Sequence, residues 1–334
     1  MNDQYLQATI GRGERVVVVL VNYFSERYLA ECLTALRRQT RRPERVILVD
    51  NGSEAAARDA VLRDFPEVEL LPMPGNVGFA AANNRAVELA ADCDWVALLN
   101  VDAFPEPTWL AELLAATTSH RDCDFFGSKL VDAKRGELLD GTGDVYHTSG
   151  RPWRRNHGEP QTLELRATQG TLAPCAAAAV YRRSSWQAVG GLDERYFCYL
   201  EDIDLALRLH LAGFKYHHAP QAVVRHVGSA VTGRRSEFSV YHGHRNLVWT
   251  YFKNMPGSLF WMYLPQHLVL NFVSLFWLAF QGRGKAIVRA KLHALCGIPR
   301  VLRERRRIQR GRRITTREFD ALLSHGWRRL LHGT

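Results

Sequence analysis

No glycine follows the first apolar run. Residues 16–21 read VVVVLV, and the turn after them reads NYFSERYLA. A dinucleotide oxidoreductase needs GxGxxG at that turn, and a phosphate-loop nucleotidase needs GxxxxGKS/T. Neither pattern is present. Cysteine is sparse and scattered: Cys32, Cys93, Cys123, Cys175, Cys198 and Cys296 contain no CxxC pair. A zinc ribbon and a disulfide framework are therefore not indicated, and a reducing cytosol fits. The first fifteen residues are polar and lack the apolar region of a signal peptide. The run Val16–Val21 is too short to span a bilayer and reads as a buried strand. With 46% hydrophobic and 23% charged residues, the 334-residue chain is neither disordered nor collagen-like.

Positive charge is missing from most of the chain. The net charge is +10, yet residues 1–282 hold 29 bases and 31 acids. Residues 283–334 hold 15 bases and 3 acids, a net of +12. That split argues against a catalytic body that grips nucleic acid along its surface. Residues 254–282 contain no Asp, Glu, Lys or Arg at all. Within them, SLFWMYLPQHLVLNFVSLFWLAF approaches the length of a membrane helix, although Pro265, Gln266, His267 and Asn271 interrupt it. Its aromatics, among them Trp261, Phe272, Trp277 and Phe280, suit a membrane interface. The Arg-rich run follows at once: eight of the fourteen residues from Arg300 to Arg313 are Arg.

Apolar runs alternate with helical stripes. Strands are expected at Val16–Val21, Val46–Val49, Val68–Leu71 and Trp95–Leu99. Between them, helices are expected from Glu26, over Ala55–Asp64 and over Phe79–Ala91, the first capped by Ser25. This order predicts an α/β fold with a doubly wound, mostly parallel sheet. Residues 130–170 read as a hairpin insertion or long loop. A further helix is expected in LEDIDLALRLHLAGF, ended by Gly213, with Asp204 and Arg208 placed to pair. Polar residues gather where the strands end: Asn22, Asp50, Asn100 and Asp102. Ligands of open parallel sheets bind at that edge, though Asp and Asn there also serve as plain turn residues. Asp102 ends a buried strand, and Mg2+ or Mn2+ prefers carboxylate and phosphate oxygens. Glu201-Asp202 could supply a general base. His226 could be a neutral metal ligand or an ordinary strand-end histidine.

Five blocks between residues 16 and 229 carry a family resemblance: VVVVLVNYFSERYLAECLTAL, VILVDNGS, GNVGFAAANNRAV, WVALLNVDA, and VGGLDERYFCYLEDIDLALRLHLAGF with HVGS. In that order they resemble the inverting family-2 glycosyltransferases of the GT-A fold, in their bacterial rhamnosyltransferase-like branch. The resemblance implies a metal-dependent, inverting hexosyltransferase. It places Asp50 at the nucleotide base, Asn22 and Tyr23 beside it, and Asn76 and Gly78 in the turn that shapes the nucleotide pocket. Asn100 and Asp102 match the DxD-like metal motif, with Asn in place of the first carboxylate, so Asp102 carries most of the metal binding. His226 matches a further metal or diphosphate ligand, and Asp202 the catalytic base. Glu201, and Arg245 in an Arg-Asn pair, are assigned to the acceptor.

The implied cofactor is Mg2+ or Mn2+. The implied donor is a nucleotide sugar, best dTDP-L-rhamnose; UDP-galactofuranose, UDP-GlcNAc and GDP-mannose stay open. The implied acceptor is a polyprenyl-diphosphate-linked saccharide or a growing polysaccharide of the cell wall or O-antigen type. Two regions are expected: a GT-A catalytic domain over residues 14–235 and a helical, aromatic then Arg-rich extension over 236–334. The extension reads as a peripheral anchor on an anionic membrane surface, at the cytoplasmic face of the bacterial inner membrane. Two alternatives remain: residues 257–282 pack as a buried helix pair or homodimer interface, or the chain is an inactive α/β domain whose Arg tail binds nucleic acid nonspecifically.

Overall fold

The computed structural model describes residues 14–163, 171–228 and 236–326. Residues 164–170 of the expected insertion, Ser229 of the HVGS block, the end of the 14–235 region and the last eight residues of the extension lie outside the described residues.

The Val-rich run forms β1 (Val16–Asn22), buried along its length. Its alternate residues face opposite sides: Val17 and Val19 enter one core, Val16, Val18 and Leu20 the other. This two-sided burial explains a run with no polar alternation. Helix α1 (Glu26–Arg37) follows, then β2 (Arg45–Asp50), α2 (Ala55–Leu62), β3 (Val68–Pro72), α3 (Phe79–Leu89) and β4 (Trp95–Asn100). Strands β1, β2, β3 and β4 pair in parallel, in the order β3-β2-β1-β4. Ser25 does stand before α1, but its hydroxyl turns back to donate to the Tyr23 carbonyl at 3.0 Å rather than capping the helix.

Beyond β4 the sheet becomes mixed. Strand β5 (Ala103–Pro105) and helix α4 (Trp109–Ser119) lead to β6 (Phe125–Asp132), and β7 (Leu139–Gly141) folds back on it. The expected insertion forms a small two-stranded unit, β8 (Asp144–Tyr146) with β9 (Pro152–Arg154). Strand β10 (Ala178–Arg182) runs antiparallel between β4 and β6, and helix α5 (Arg183–Ala188) follows it. Helix α6 (Glu201–Leu211) comes next. Then β11 (Tyr216–His226) pairs parallel with β6 and antiparallel with β5. Gly213 sits past α6 at φ +89°, a conformation that suits glycine at a helix end.

The described part of the extension is mostly helical. It comprises α7 (Glu237–Asn254), α8 (Gly257–Leu278), a π turn over Ala279–Arg283, α9 (Gly284–Arg310) and α10 (Thr316–Leu322). Pro265 does not break α8, which runs 22 residues, about 33 Å at 1.5 Å per residue. By length and composition alone the helical run from Gly257 to Arg310 could cross a membrane, and only 17% of its most apolar stretch is buried. Trp261, Leu268, Phe272, Phe276, Trp277 and Phe280 are all exposed. Leu259, Phe260, Tyr263 and His267 are buried on the other face against the body. The buried-pair alternative therefore fails for most of this helix.

Helix α9 lies along α7 rather than trailing free. Trp249 Nε1 donates to the Ala294 carbonyl at 3.0 Å. A Cβ on Gly297 would stand 2.6 Å from that nitrogen, so only glycine allows the close approach. Arg305 donates to the carbonyls of Phe252, at 3.3 Å, and Met255.

A buried ionic network joins the extension to the catalytic body. Asp204 accepts from Arg208 Nε and Lys253 Nζ, each at 2.8 Å, and from Asn254 Nδ2 at 2.8 Å. Lys253 also reaches Asp193 at 2.7 Å. Lys253→Met strands two buried carboxylates, so it should cost about 3–5 kcal/mol of stability. Arg37→Gln, at the exposed pair with Glu67, should cost under about 1 kcal/mol. Urea denaturation checks both, and equal losses would remove the network from its structural role.

Candidate functional site

The C-terminal ends of β1, β2 and β4 open on one cleft of about 180 Å³. Its wall includes Tyr23, Asn51, Asn76, Gly78, Asn100 and Asp102, with Phe197, Cys198 and Phe238 from segments outside the sheet. The turn from β3 into α3 is tied down by amides. Asn51 Nδ2 donates to Asn76 Oδ1 at 3.0 Å, and the Val77 N–H donates to Asn51 Oδ1 at 2.8 Å. The Gly78 N–H donates to Asn76 Oδ1 at 2.9 Å. Gly78 has φ +89°, and a Cβ there would lie 2.7 Å from the Phe197 carbonyl oxygen, so only glycine fits.

Two expected base contacts stand behind this wall. Asn22 is fully buried: its amide donates to Glu26 Oε1 at 3.0 Å, and its carbonyl accepts from the Asn51 N–H at 2.9 Å. Its side chain supports the strand ends and does not face the cleft. Asp50 is buried against Arg58 of α2 and accepts from the Gly52 N–H at 3.3 Å. Asn51, which the sequence pattern did not single out, faces the cleft instead.

Strand pairing brings His226 to Asp102 across 124 positions of sequence. Strands β5 and β11 are antiparallel with His226 opposite Ala103, and the Val227 N–H donates to the Asp102 carbonyl at 3.0 Å. His226 Nε2 lies 3.5 Å from Asp102 Oδ1. On the ring's other side, Nδ1 meets Asp140 Oδ2 at 2.7 Å. Burial disfavours the charged imidazole, but the neighbouring carboxylates of Asp102 and Asp140 outweigh it and raise the His226 pKa. Burial would also raise the Asp140 carboxyl, yet the His226 bond and the Arg154 charge hold it well below the carboxylate range.

His226 Nε2 is buried without a hydrogen-bond partner among the described residues. A carboxylate that fixes Nδ1–H and leaves Nε2 aimed beside a second carboxylate is the support expected for a metal-binding imidazole. The Asp102–His226 pair therefore fits a divalent cation.

A second acidic cluster does not. Asp144, Cys175 and Asp202 have ligand atoms within 4.8 Å of one another. Arg154, however, already supplies the positive charge there. It contacts Asp140, donates to Cys175 Sγ at 2.9 Å and lies 4.0 Å from Asp144. Burial and nearby Asp202 push the Asp144 carboxyl up to about 7 despite Arg154, and burial also drives the Cys175 thiol upward. Asp140, Asp144 and Arg154 were visible to sequence reasoning only as members of a Gly-, Asp- and Arg-rich insertion.

Asp202 stands in the first turn of α6. Its carboxylate accepts from the Ile203 N–H at 2.8 Å and the Ala176 N–H at 3.3 Å. Burial raises its pKa, and these N–H groups and Arg154 offset that only in part. Glu201 is buried, with Oε2 unpartnered among the described residues, and burial beside Asp202 pushes its carboxyl well up. The turn before α6 is strained: Phe197, Tyr199 and Leu200 all have φ between 63° and 69°.

Asn246 holds that turn, donating to the carbonyls of Tyr196, Cys198 and Tyr199 at 2.8–3.0 Å. Arg245 donates to the carbonyls of Arg195 and Tyr196 and lies over the Trp249 ring. Its guanidinium is thus engaged with the backbone of the turn that precedes α6. Asp204 and Arg208 form the expected pair, fully buried.

The model of the family described as "Glycosyl transferase family 2" matches residues 16–190, more than half of the chain. The chain belongs to this family. It is therefore a glycosyltransferase, and its curled mixed sheet is of the GT-A type. An N-acetylglucosaminyl-diphospho-decaprenol L-rhamnosyltransferase of Mycobacterium tuberculosis is 34% identical over 255 residues, 67% of this chain and 80% of the relative. The O-antigen chain rhamnosyltransferase WbaN of Salmonella anatum is 26% identical, covering 63% of this chain and 64% of its own. Among solved structures, S. aureus TarS 1-349 aligns over 88% of this chain and 91% of its own, with TM-score 0.53 and 15% identity.

If Asp140 orients His226 for a metal, Asp140→Asn should weaken Mn2+ binding about 10–100-fold. Titration of the purified glycosyltransferase followed by electron paramagnetic resonance reads this directly. Unchanged Mn2+ affinity would remove Asp140 from that role.

Proposed function

We propose that this glycosyltransferase moves L-rhamnose from dTDP-L-rhamnose to a saccharide carried on a polyprenyl diphosphate, with inversion at the anomeric carbon. The observation that carries the reading is one arrangement. Asp102, with His226 beside it, and the strained turn before Asp202 border the same cleft, in a chain similar to a rhamnosyltransferase named for a decaprenol diphosphate acceptor.

Tyr23, Asn51, Asn76, Gly78 and Asn100 form the wall for the nucleotide sugar, and Asp50 and Asn22 brace it from behind. Asp102 and His226 would hold Mg2+ or Mn2+, which when bound neutralises charge on a leaving diphosphate. Asp202 accepts the proton of an acceptor hydroxyl. That oxygen forms the new bond to the anomeric carbon as the bond to the diphosphate oxygen breaks, and the diphosphate leaves with the electron pair. Glu201, buried beside Asp202, acts through the environment it gives that base.

Residues 14–235 form the catalytic region in this reading, and 236–334 the attachment. A helix with one face packed on the body and the other bare suits a membrane surface rather than a span. Arg and Lys of α9 add attraction to anionic lipid. Two features disfavour a nucleic-acid tail: α9 is docked along α7, and an exposed aromatic face adjoins it.

Asp202→Asn should lower turnover about 10²–10⁴-fold. Because burial raises the Asp202 pKa, and the base must be deprotonated, activity should fall as pH drops through a limb above about 3.9, the ordinary Asp value. Rate–pH profiles with dTDP-L-rhamnose check both, and near wild-type turnover in Asp202→Asn would sink the base assignment. Flotation should carry the protein with phosphatidylglycerol vesicles and should fail for Phe272→Glu/Phe276→Glu. Flotation untouched by that change, or a tighter shift on duplex DNA, would overturn the membrane reading.

A further inference from the structure

A second cavity, of about 400 Å³, lies on the other side of the strained turn. Consecutive residues divide between the two spaces. Phe197 and Cys198 line the sheet-edge cleft, whereas Tyr199 and Leu200 line the second cavity. At the start of α7 the same division recurs, with Phe238 in the first wall and Ser239 in the second. The turn is thus a partition, and Glu201-Asp202 follow it directly in the chain.

The second wall is mixed in chemistry. Arg151, from the loop before β9, and His244, from α7, supply its nitrogen groups. His244 Nδ1 is buried without a hydrogen-bond partner among the described residues. Helix α8 supplies Leu270, Trp277 and Leu278, which recur at helical spacing on one face. Trp277 continues onto the exposed apolar surface that ends at Phe280.

We propose that this cavity binds the diphosphate and first isoprene units of a polyprenyl diphosphate acceptor, with Arg151 on the diphosphate. The inference rests on the lipid-acceptor reading above and adds the place. A guanidinium matches diphosphate oxygens in a bidentate manner, and His244 offers a ring nitrogen with no partner among the described residues. A free saccharide would have no use for the Leu270–Trp277–Leu278 wall. That wall joins the bare face of α8, so the chain of the lipid passes from cavity to bilayer without crossing water. The partition then keeps the diphosphate of the donor and that of the acceptor on opposite sides of the turn that leads into the base, where the acceptor sugar reaches across to the donor.

Farnesyl diphosphate is the probe, titrated calorimetrically into the full chain. Saturable binding is expected, weakened about tenfold or more by Arg151→Gln and equally by Ser274→Trp, which fills the cavity from α8. Hydrolysis of dTDP-L-rhamnose should stay within about twofold of wild type in both. If Ser274→Trp fails to fold, Arg151→Gln decides alone. Binding indifferent to Arg151→Gln, or inorganic pyrophosphate binding as tightly as farnesyl diphosphate, overturns the proposal. The donor reading fails separately: a wild-type protein that binds farnesyl diphosphate through Arg151 but leaves dTDP-L-rhamnose intact loses its assigned donor and keeps this cavity.

Discussion

The buried ammonium of Lys253 is the point on which the arrangement turns. It reaches Asp193 before the strained turn and Asp204 within α6, while its own backbone belongs to α7. Two neighbouring segments and a third that is distant in sequence are thereby fixed to one charge. Tyr196, which closes a 3-10 turn over Glu194–Tyr196, adds its hydroxyl to Asp204 at 3.2 Å and to Thr250 at 3.0 Å. Buried ions of this kind are costly unless every partner is present. The network therefore ties the catalytic body to the helical extension as a condition of stability, and the extension is no loose appendage.

That clamp explains how three left-handed, non-glycine residues persist in the turn before Asp202. Such residues cost of order 1–3 kcal/mol each and survive only where surroundings over-determine them. Here Asn246 spends both amide hydrogens on turn carbonyls, and Arg245 adds two more bonds. The Arg-Asn pair is thus a support of the base-bearing turn. The outcome is a partition whose successive side chains face different cavities. A regular helix or strand entering α6 would not divide its residues in that way.

A second layer stands behind the acidic ends of the sheet. Asp140 is shared by His226 and Arg154, and Arg154 reaches on to Cys175 and toward Asp144. Through this chain of contacts the insertion places one cation between the candidate metal ligand and the candidate base. It also fills the one other cluster of described residues that could have held a metal ion. Neighbouring carboxylates are kept distinct by this means: Asp140 stays ionised, while Asp144 is pushed toward its neutral form.

Periodicity and strand-end chemistry alone determined the parallel half of the sheet, the cleft at its edge, the Asp204–Arg208 pair, and the segregation of apolar and basic residues to the C-terminal region. These are local properties. An all-apolar run, a polar residue closing it and an i,i+4 pair follow from backbone geometry that needs no distant partner. Only the tertiary structure decided that Asn51 rather than Asn22 or Asp50 faces the cleft, because pleat and turn geometry choose between adjacent residues. It alone brought Asp140 to His226, and it alone spent Arg245 on backbone carbonyls. It also left α8 bare on one face, a fact that hydropathy cannot separate from burial. For Asp140 and Arg245 the deciding contact spans tens of residues, and which partner each side chain meets depends on strand order and helix docking.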